Sequence, residues 1–572
     1  MVKFFVGLVT GVLLVILSVV LLFFALLRFR EKAPDIPANA VLVMRLNGDL
    51  PERAPVAIPF LSEEPVLTVA NVWMSLRKAA ADSHIKALVL EPDGVSAGWA
   101  KIEEVRSDIE QFRKSGKPVY AYLHTPSTRE YYVASAADRI YLGPEDPFYV
   151  KGLRAEVMYF KKTLDKLGVS VDVEHAGKYK DFGDQFTRSD MSPETREVIT
   201  SIVDELYNNL VQHIASGRKK TAEEVKAIID SGPFLATQAQ KAGLVDELRF
   251  EDQMWGDLKT RVNAGDLKKV KAETYVKVAP ESVGLGGKSR VALVMAQGDI
   301  VRGDPDSAAA DESSLASSTF DKVLEQVSGD STIRGVIVRI DSPGGEVTAS
   351  DDLWRQMSLL SKKKAVVISM SDVAASGGYY MAMTGDPIVA YPQTQTGSIG
   401  VVFGKPNLRG LYEKLGITKD SVQRGKFADI DSDYTSLNPD EQQKLREGID
   451  ASYREFVTKV AQGRHRKFEE IEPVSQGRVW LGSQARSRGL VDELGGLDTA
   501  IAMVKKRANI PAGEGVTIVT FPPRRSLFDL LSRHSQEDML EAKVGQLLHG
   551  MPFRAWMRGG FLRMAPYWIT VR

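Results

Sequence analysis

The sequence predicts an α/β protein made of two tandem copies of one strand–helix unit, placed after a single apolar N-terminal helix. Three observations predict it. A set of short motifs recurs in the same order at a nearly constant offset. Within each copy, short apolar runs alternate with amphipathic segments, the pattern of βαβ units and a mainly parallel sheet. Residues 4–27 are uncharged and strongly apolar throughout.

Residues 4–27 number 24, against the ~20 that cross a bilayer as a helix. Arg28-Phe29-Arg30 follows, where a cleavable leader would carry small residues. The expectation is a retained single-pass anchor over residues 1–30, with a buried core helix as the bland alternative. Lys3 precedes the run, whereas Arg28, Arg30 and Lys32 follow it. Flanking charge alone therefore mildly disfavours export, although large domains translocate despite it. A short linker of Pro, Asp and Asn residues covers 31–39.

The first copy is expected over 40–263 and the second over 291–510. Val41-Leu42-Val43-Met44-Arg45-Leu46-Asn47-Gly48-Asp49-Leu50 parallels Val291-Ala292-Leu293-Val294-Met295-Ala296-Gln297-Gly298-Asp299-Ile300. Ser192-Pro193-Glu194 parallels Asn438-Pro439-Asp440, each a helix cap followed by Pro at the first helical position. Gly-Leu-Val-Asp-Glu-Leu occurs at both 243–248 and 489–494. Buried strands are expected at 40–46, 85–90 and 117–123, and again at 291–297, 333–340 and 364–370. Helices follow from apolar residues every four positions, at Ile202, Leu206, Leu210 and Ile214, and at Leu445, Ile449 and Tyr453.

Residues 264–290 read as a linker. Their Gly284-Leu285-Gly286-Gly287-Lys288-Ser289 imitates a phosphate-binding loop, but Ser282 stands where that motif needs glycine. Residues 511–572 read as a C-terminal extension. Its part 525–572, with Phe553, Trp556, Phe561 and Trp568, leaves two readings open: an amphipathic membrane-surface tail or a packing arm.

Composition excludes several classes. Lys+Arg and Asp+Glu both count 74, so no bulk positive charge points to nucleic acid. Cysteine is absent, which removes disulfides, thiolate catalysis and Cys–zinc sites. The seven histidines are scattered and form no metal-binding spacing, so no metal and no cofactor is expected. Arg302-Gly303-Asp304 looks like an adhesion tripeptide but sits in a polar loop. His213 reads as a packing residue, and Asp204 and Glu205 as a solvated helix face.

The chemistry is expected at Ser376. An apolar run ends at Met370, and Ser371-Asp372-Val373-Ala374-Ala375 leads as part of a turn into Ser376-Gly377-Gly378-Tyr379-Tyr380. Such a turn exposes a hydroxyl beside unpaired backbone N–H groups. The two copies differ at this place. Ser376-Gly377-Gly378 falls opposite Thr128-Arg129-Glu130, and Asp341-Ser342-Pro343-Gly344-Gly345 opposite Asp93-Gly94-Val95-Ser96-Ala97. In the other direction, Lys180 falls opposite Ala428, while Lys178 retains a counterpart in Lys426. The later copy thus holds a serine and glycine turns, and the earlier one holds a lysine. One joint site explains this division, since an amine of lowered pKa can activate a hydroxyl. His175 leaves a Ser–His pair as a rival.

Ile340-Asp341-Ser342-Pro343-Gly344-Gly345, Ala375-Ser376-Gly377-Gly378-Tyr379, Thr396-Gly397-Ser398-Ile399-Gly400 and Tyr179-Lys180 together resemble bacterial signal peptide peptidase A (protease IV) in its long two-repeat form. The resemblance covers roughly 40–505. It implies a duplicated ClpP/crotonase-like fold and a membrane-anchored serine endopeptidase that degrades cleaved signal peptides and other short apolar peptides. It implies Ser376 as nucleophile, Lys180 as general base and Ser398 as the group orienting the lysine. The N–H of Gly377, with that of Gly344 or Gly345, would form the oxyanion hole. The implied assembly is a homotetramer on the bacterial inner membrane, its catalytic part on the extracytoplasmic side. Asp181, directly after Lys180, departs from the family pattern and would favour a protonated base. Two alternatives remain: a crotonase-type acyl-CoA enzyme and a non-catalytic membrane scaffold of the same fold. The sequence leaves open whether serine and lysine meet within one chain.

Overall fold

The computed structural model describes residues 34–54, 66–303, 314–523, 561–565 and 570–571, with Gly7, Gly11, Leu14, Leu17 and Ser18 as isolated helical positions. The expected anchor over 4–27 therefore lies almost entirely outside the described residues. Among the described residues no helix is long and apolar enough to cross a membrane. Phe553, Trp556 and Trp568, on which the membrane-surface reading of the tail rests, also lie outside, as does Asp304.

Two strand–helix units are present. The first contains β1 (Ala40–Gly48), α1 (Val69–Ala81), β2 (Ile85–Val95), α2 (Trp99–Arg113), β3 (Val119–Leu123), α3 (Thr128–Ala134) and β4 (Arg139–Leu142). It continues through β5 (Ser170–Ala176), α4 (Pro193–Arg218), β6 (Glu247–Leu248) and β7 (Lys268–Lys271). Its sheet has the order β6-β4-β3-β2-β1-β7, every pairing parallel. Parallel sheets need both faces covered, which is why Leu88, Val89 and Leu90 are all wholly buried in place of an in–out alternation.

The second unit contains β8 (Ser289–Gln297), β9 (Ile333–Ser342), β10 (Gly344–Glu346), α5 (Val347–Ser361), β11 (Ala365–Ala375) and α6 (Gly377–Met381). Then come β12 (Gln395–Gly397), β13 (Val401–Asn407), α7 (Pro439–Gly463), β14 (Val479–Leu481) and β15 (Val516–Phe521). Its sheet runs β14-β12-β11-β9-β8-β15, parallel except for β12 against β14.

The repeat extends to individual hydrogen bonds. Tyr131 Oη donates to the Leu244 carbonyl at 2.9 Å, and Tyr379 Oη to the Leu490 carbonyl at 2.7 Å. Arg218 grips Asp246 as Arg464 grips Asp492. Ser192 and Asn438 both cap their helices through the side chain, with Pro in the first turn. The buried stripes of α4 and α7 include Ile202, Leu206, Leu210 and Ile214, and Leu445 and Ile449.

Three stretches differ from expectation. Residues 264–290 are not a bare linker: β7 extends the first sheet beside β1, and Ala272–Tyr275 forms a helical turn. Beyond 510, β15 adds the equivalent edge to the second sheet. The stretch Ser371–Ala375, expected to belong to the turn before Ser376, is strand, because Val373–Ala375 pairs with Gln395–Gly397.

The two units are joined through a buried ionic cluster and a shared sheet. Arg339 of β9 bonds Glu52 Oε1 through Nε at 3.1 Å and Nη2 at 3.0 Å, and also engages Glu104 of α2. All three side chains are buried. A smaller sheet holds β10 and β13 of the second unit and β5 of the first, and β16 (Phe561–Met564) lies between β10 and β13. Strand β5 runs antiparallel to β13 from Ala176↔Val401 to Ser170↔Asn407. This ladder carries the end of β5 into the second unit.

Candidate active site

β11 and β9 end side by side, with Ser342 opposite Ala374, and from their ends the chain turns twice. After β11 it enters α6 through Ser376, whose φ of 54° is a strained, left-handed value for a residue with a side chain. After β9 it passes Pro343 into Gly344, at φ 102°. The two turns nearly touch: a Cβ on Gly344 would stand 2.5 Å from the Gly377 nitrogen and 2.0 Å from the Arg563 carbonyl oxygen. Only glycine fits there, which accounts for the tandem glycines. Gly344 N–H is directed at Ser342 Oγ, 3.2 Å away.

Ser398 follows β12 and is also left-handed, at φ 51°. Ser376 N–H donates to the Gly397 carbonyl at 2.8 Å, and Ser398 N–H to the Arg478 carbonyl at 2.8 Å. The two serines are therefore held by one short ladder.

Lys180 arrives from the first unit. The loop after β5 is clamped by the turn at 476–477: Tyr179 N–H donates to the Gln476 carbonyl at 2.7 Å, and Lys178 N–H to Gln476 Oε1 at 3.1 Å. Any Cβ on Gly477 would stand 2.6 Å from Lys180 Cβ, so that turn also needs its glycine. The lysine Nζ lies 2.8 Å from Ser376 Oγ, 2.9 Å from Ser398 Oγ and 3.0 Å from the Ser398 carbonyl oxygen. Lys180, Ser376 and Ser398 are each fully buried. Serine and lysine thus meet within one chain.

Burial pushes the Lys180 pKa well below the usual lysine value. Asp181 opposes this and Arg563 adds to it, but the loss of water outweighs both. The Asp181 carboxylate is also engaged by the Thr195 hydroxyl. A neutral amine has two N–H bonds and one lone pair. With Ser398 Oγ and carbonyl as acceptors for the first two, the lone pair faces the Ser376 hydroxyl. The arrangement can remove a proton from that hydroxyl. His175 is exposed, and its Nδ1 sits 3.1 Å from the Gly177 carbonyl oxygen, whereas Ser376 Oγ is met by Lys180 Nζ. His213 packs edge-on to Tyr132 and lies against Arg106 and Glu103, far from the serine in the fold. Among the described residues no group of acidic or histidine side chains could hold a metal ion.

The strand position beside the Ser376 turn is filled by β16, whose Arg563 carbonyl oxygen would stand 3.2 Å from a Cβ on Gly377. β16 pairs antiparallel with both walls, Gly344–Glu346 on one side and Val402–Phe403 on the other. Ala565 N–H donates to the Pro343 carbonyl at 2.8 Å. Leu562 and Met564 pack among Leu164, Val169, Phe182, Phe186 and Val402. Arg563 stacks on the Tyr380 ring, 3.6 Å from its centroid. These described tail residues are thus a packing element.

Sequence reasoning placed Ser376, Lys180, Ser398, Gly377, Gly344 and Gly345, and the structure brings all six together. It missed Gln476 and Gly477, which seat the lysine, and the tail strand. The only signal for the first was a Ser-Gln-Gly-Arg turn; the second had none, because a four-residue strand is too short to show periodicity.

A profile of peptidase family S49 matches the chain twice, at residues 111–265 and 358–511. A chloroplastic serine protease SPPA of Arabidopsis thaliana is 36% identical over 506 residues, 86% of this chain and 73% of its own. Protease 4 of Haemophilus influenzae is 30% identical over 524 residues, 86% of this chain and 84% of its own. The solved structure of a Listeria monocytogenes ClpP1 N165D mutant covers 36% of this chain and 94% of its own, at 15% identity and a TM-score of 0.24. That last likeness is too slight to carry the fold.

Proposed function

This chain belongs to peptidase family S49 and is a serine-type peptidase, and we propose that it cleaves peptides with a Ser376–Lys180 dyad shared between its two repeats. One observation carries the proposal: a fully buried lysine amine 2.8 Å from a fully buried serine hydroxyl at a strained turn.

In this mechanism neutral Lys180 accepts the Ser376 proton as Oγ attacks the peptide carbonyl. The negative charge on the tetrahedral oxygen meets the N–H of Gly377, joined by Gly344 or Gly345. The lysine ammonium then returns the proton to the departing amine, and the carbonyl re-forms as an ester to Ser376. Water, deprotonated by Lys180, attacks that ester, and the lysine ammonium returns the proton to the departing Ser376 Oγ as the acid is released. Ser398 keeps the amine aimed throughout. The peptide adds as a strand between β10 and β13 in place of β16, whose pairing to both edges supports this recognition mode. The residues clustered with Leu562 and Met564 of β16, among them Leu164, Phe182, Phe186 and Val402, are apolar, which favours apolar peptides in the same strand position.

The fuller proposal takes cleaved signal peptides as the natural substrate. It places a retained anchor at 4–27, the catalytic part on the extracytoplasmic face of a bacterial inner membrane, and the chain in a homotetramer. Its support is the apolar run and the family. The decisive assay compares the parent protein with Ser376→Ala and Lys180→Ala on a fluorogenic apolar peptide. Both variants should lose at least 10²-fold in kcat. Unchanged turnover in either removes the dyad, and no turnover in the parent favours the scaffold alternative.

A further inference from the structure

Lys101 is a second lysine that the first repeat sends into the second, and no step of the mechanism uses it. It lies in the first turn of α2 and is 3% exposed. Its Nζ is 2.8 Å from Asp341 Oδ2, 3.8 Å from Asp372 Oδ2 and 3.9 Å from Asp49 Oδ1. Asp372 in turn caps the start of α2, accepting from Gly98 N–H at 3.0 Å and Lys101 N–H at 2.9 Å. Its carboxylate packs so tightly that a Cβ on Gly98 would stand 2.2 Å from Oδ2. Asp341 Oδ1 accepts the Val373 N–H at 3.1 Å, tying the end of β9 to β11. Burial lowers the Lys101 pKa, but Asp341, Asp372, Glu52 and Asp49 together outweigh it and leave the ammonium firmly charged.

The two carboxylates hold key places. Asp341 is three residues before Gly344, and Asp372 four before Ser376. The strands that bear them end in the oxyanion turn and the nucleophile turn. Without a cation between them, two acids on adjacent strand ends repel. The repeat isolates this lysine too: α2 corresponds to α5, and Ala349 stands in α5 where Lys101 stands in α2.

We propose that Lys101 is a positioning residue of the peptidase site, its ammonium holding Asp341 and Asp372 together and so fixing the spacing between the Gly344 turn and the Ser376 turn. This rests on the reading of Ser376 as nucleophile. A change of about 1 Å in reacting geometry costs on the order of 10²-fold in rate. The lysine touches no reacting atom, so the loss falls on kcat and spares substrate binding along β10 and β13.

The test uses the full chain, an active-site titration with a serine-reactive fluorophosphonate, and kcat and KM on the fluorogenic peptide. Lys101→Met should lower kcat per titrated site by about 10- to 100-fold with KM within about twofold. Lys101→Arg, which keeps the charge, should recover most of the loss. Lys78→Met is the control. That lysine is equally buried in the first repeat, but its Nζ meets the carbonyls of Tyr275, Val276 and Val278, so kcat per site should hold. If Lys101→Met retains full kcat per site, or if Lys78→Met loses as much, the inference is overturned. Should Lys101→Met not fold, Asp372→Asn gives the same reading: lowered kcat supports it and unchanged kcat overturns it. Hydrolysis that survives Ser376→Ala would instead overturn the nucleophile reading, so the two failures are distinct.

Discussion

Replacing Lys180 by methionine should destroy activity and, at neutral pH, make the protein more stable. The lysine is fully buried and its pKa lies well below the unfolded value of 10.5. Between the folded pKa and 10.5 the unfolded chain therefore binds one proton that the folded chain does not. Folding stability rises with pH wherever the unfolded state binds more protons, at about 1.4 kcal/mol per pH unit for one proton. The native lysine thus costs stability throughout that window, the cost shrinking as pH climbs toward 10.5. Methionine has nearly the same length and no charge. It forfeits contacts to Ser376 and Ser398, each worth about 0.5–1.5 kcal/mol, but is free of the proton penalty. Denaturant unfolding of parent and Lys180→Met at pH 7, 8, 9 and 10 measures the difference. The advantage of the variant should fall by about 1.4 kcal/mol per pH unit within the window, while peptide turnover drops 10²- to 10⁴-fold. A stability difference that stays flat from pH 7 to 10 would mean that Lys180 remains protonated when folded, and the account of the base would fail.

Three further outcomes follow from the geometry. Ser398→Ala removes one of two acceptors that aim the amine and should lower kcat about tenfold, equivalent to one hydrogen bond of about 1.4 kcal/mol; equal kcat would show that the Ser398 carbonyl suffices. Arg339→Met strands the buried Glu52 and Glu104 between the repeats and should cost about 3–5 kcal/mol in denaturant unfolding, a cost below 1 kcal/mol contradicting the bridging role. Deleting residues 561–572 vacates the strand position between β10 and β13, so KM should fall by the fraction of time the strand is seated while kcat holds. An unchanged KM would show that peptide binds elsewhere.

Much of the site was legible because duplication supplies an internal reference. Where the copies agree, as at Tyr131 and Tyr379 or at Asp246 and Asp492, the residue packs or pairs alike in both. Where they disagree, at Ser376 and Lys180, the residues of the candidate site collect. The same comparison would have exposed Lys101 against Ala349, but a single lysine in an amphipathic helix reads as solvated face until its burial is seen. Ser371-Asp372 looked like a turn because local polarity hides that both sides of the strand are paired.

The order of strands and helices, their duplication and the residues of the proposed dyad are written in local pattern, since apolar periodicity, caps and glycine turns act over a few positions. That the lysine of one repeat stops 2.8 Å from the serine of the other, that burial lowers its pKa, and that a tail strand lies between β10 and β13 were settled only by tertiary structure. Each depends on contacts between residues about 160 or more positions apart, and no neighbouring residue encodes the water that such contacts exclude.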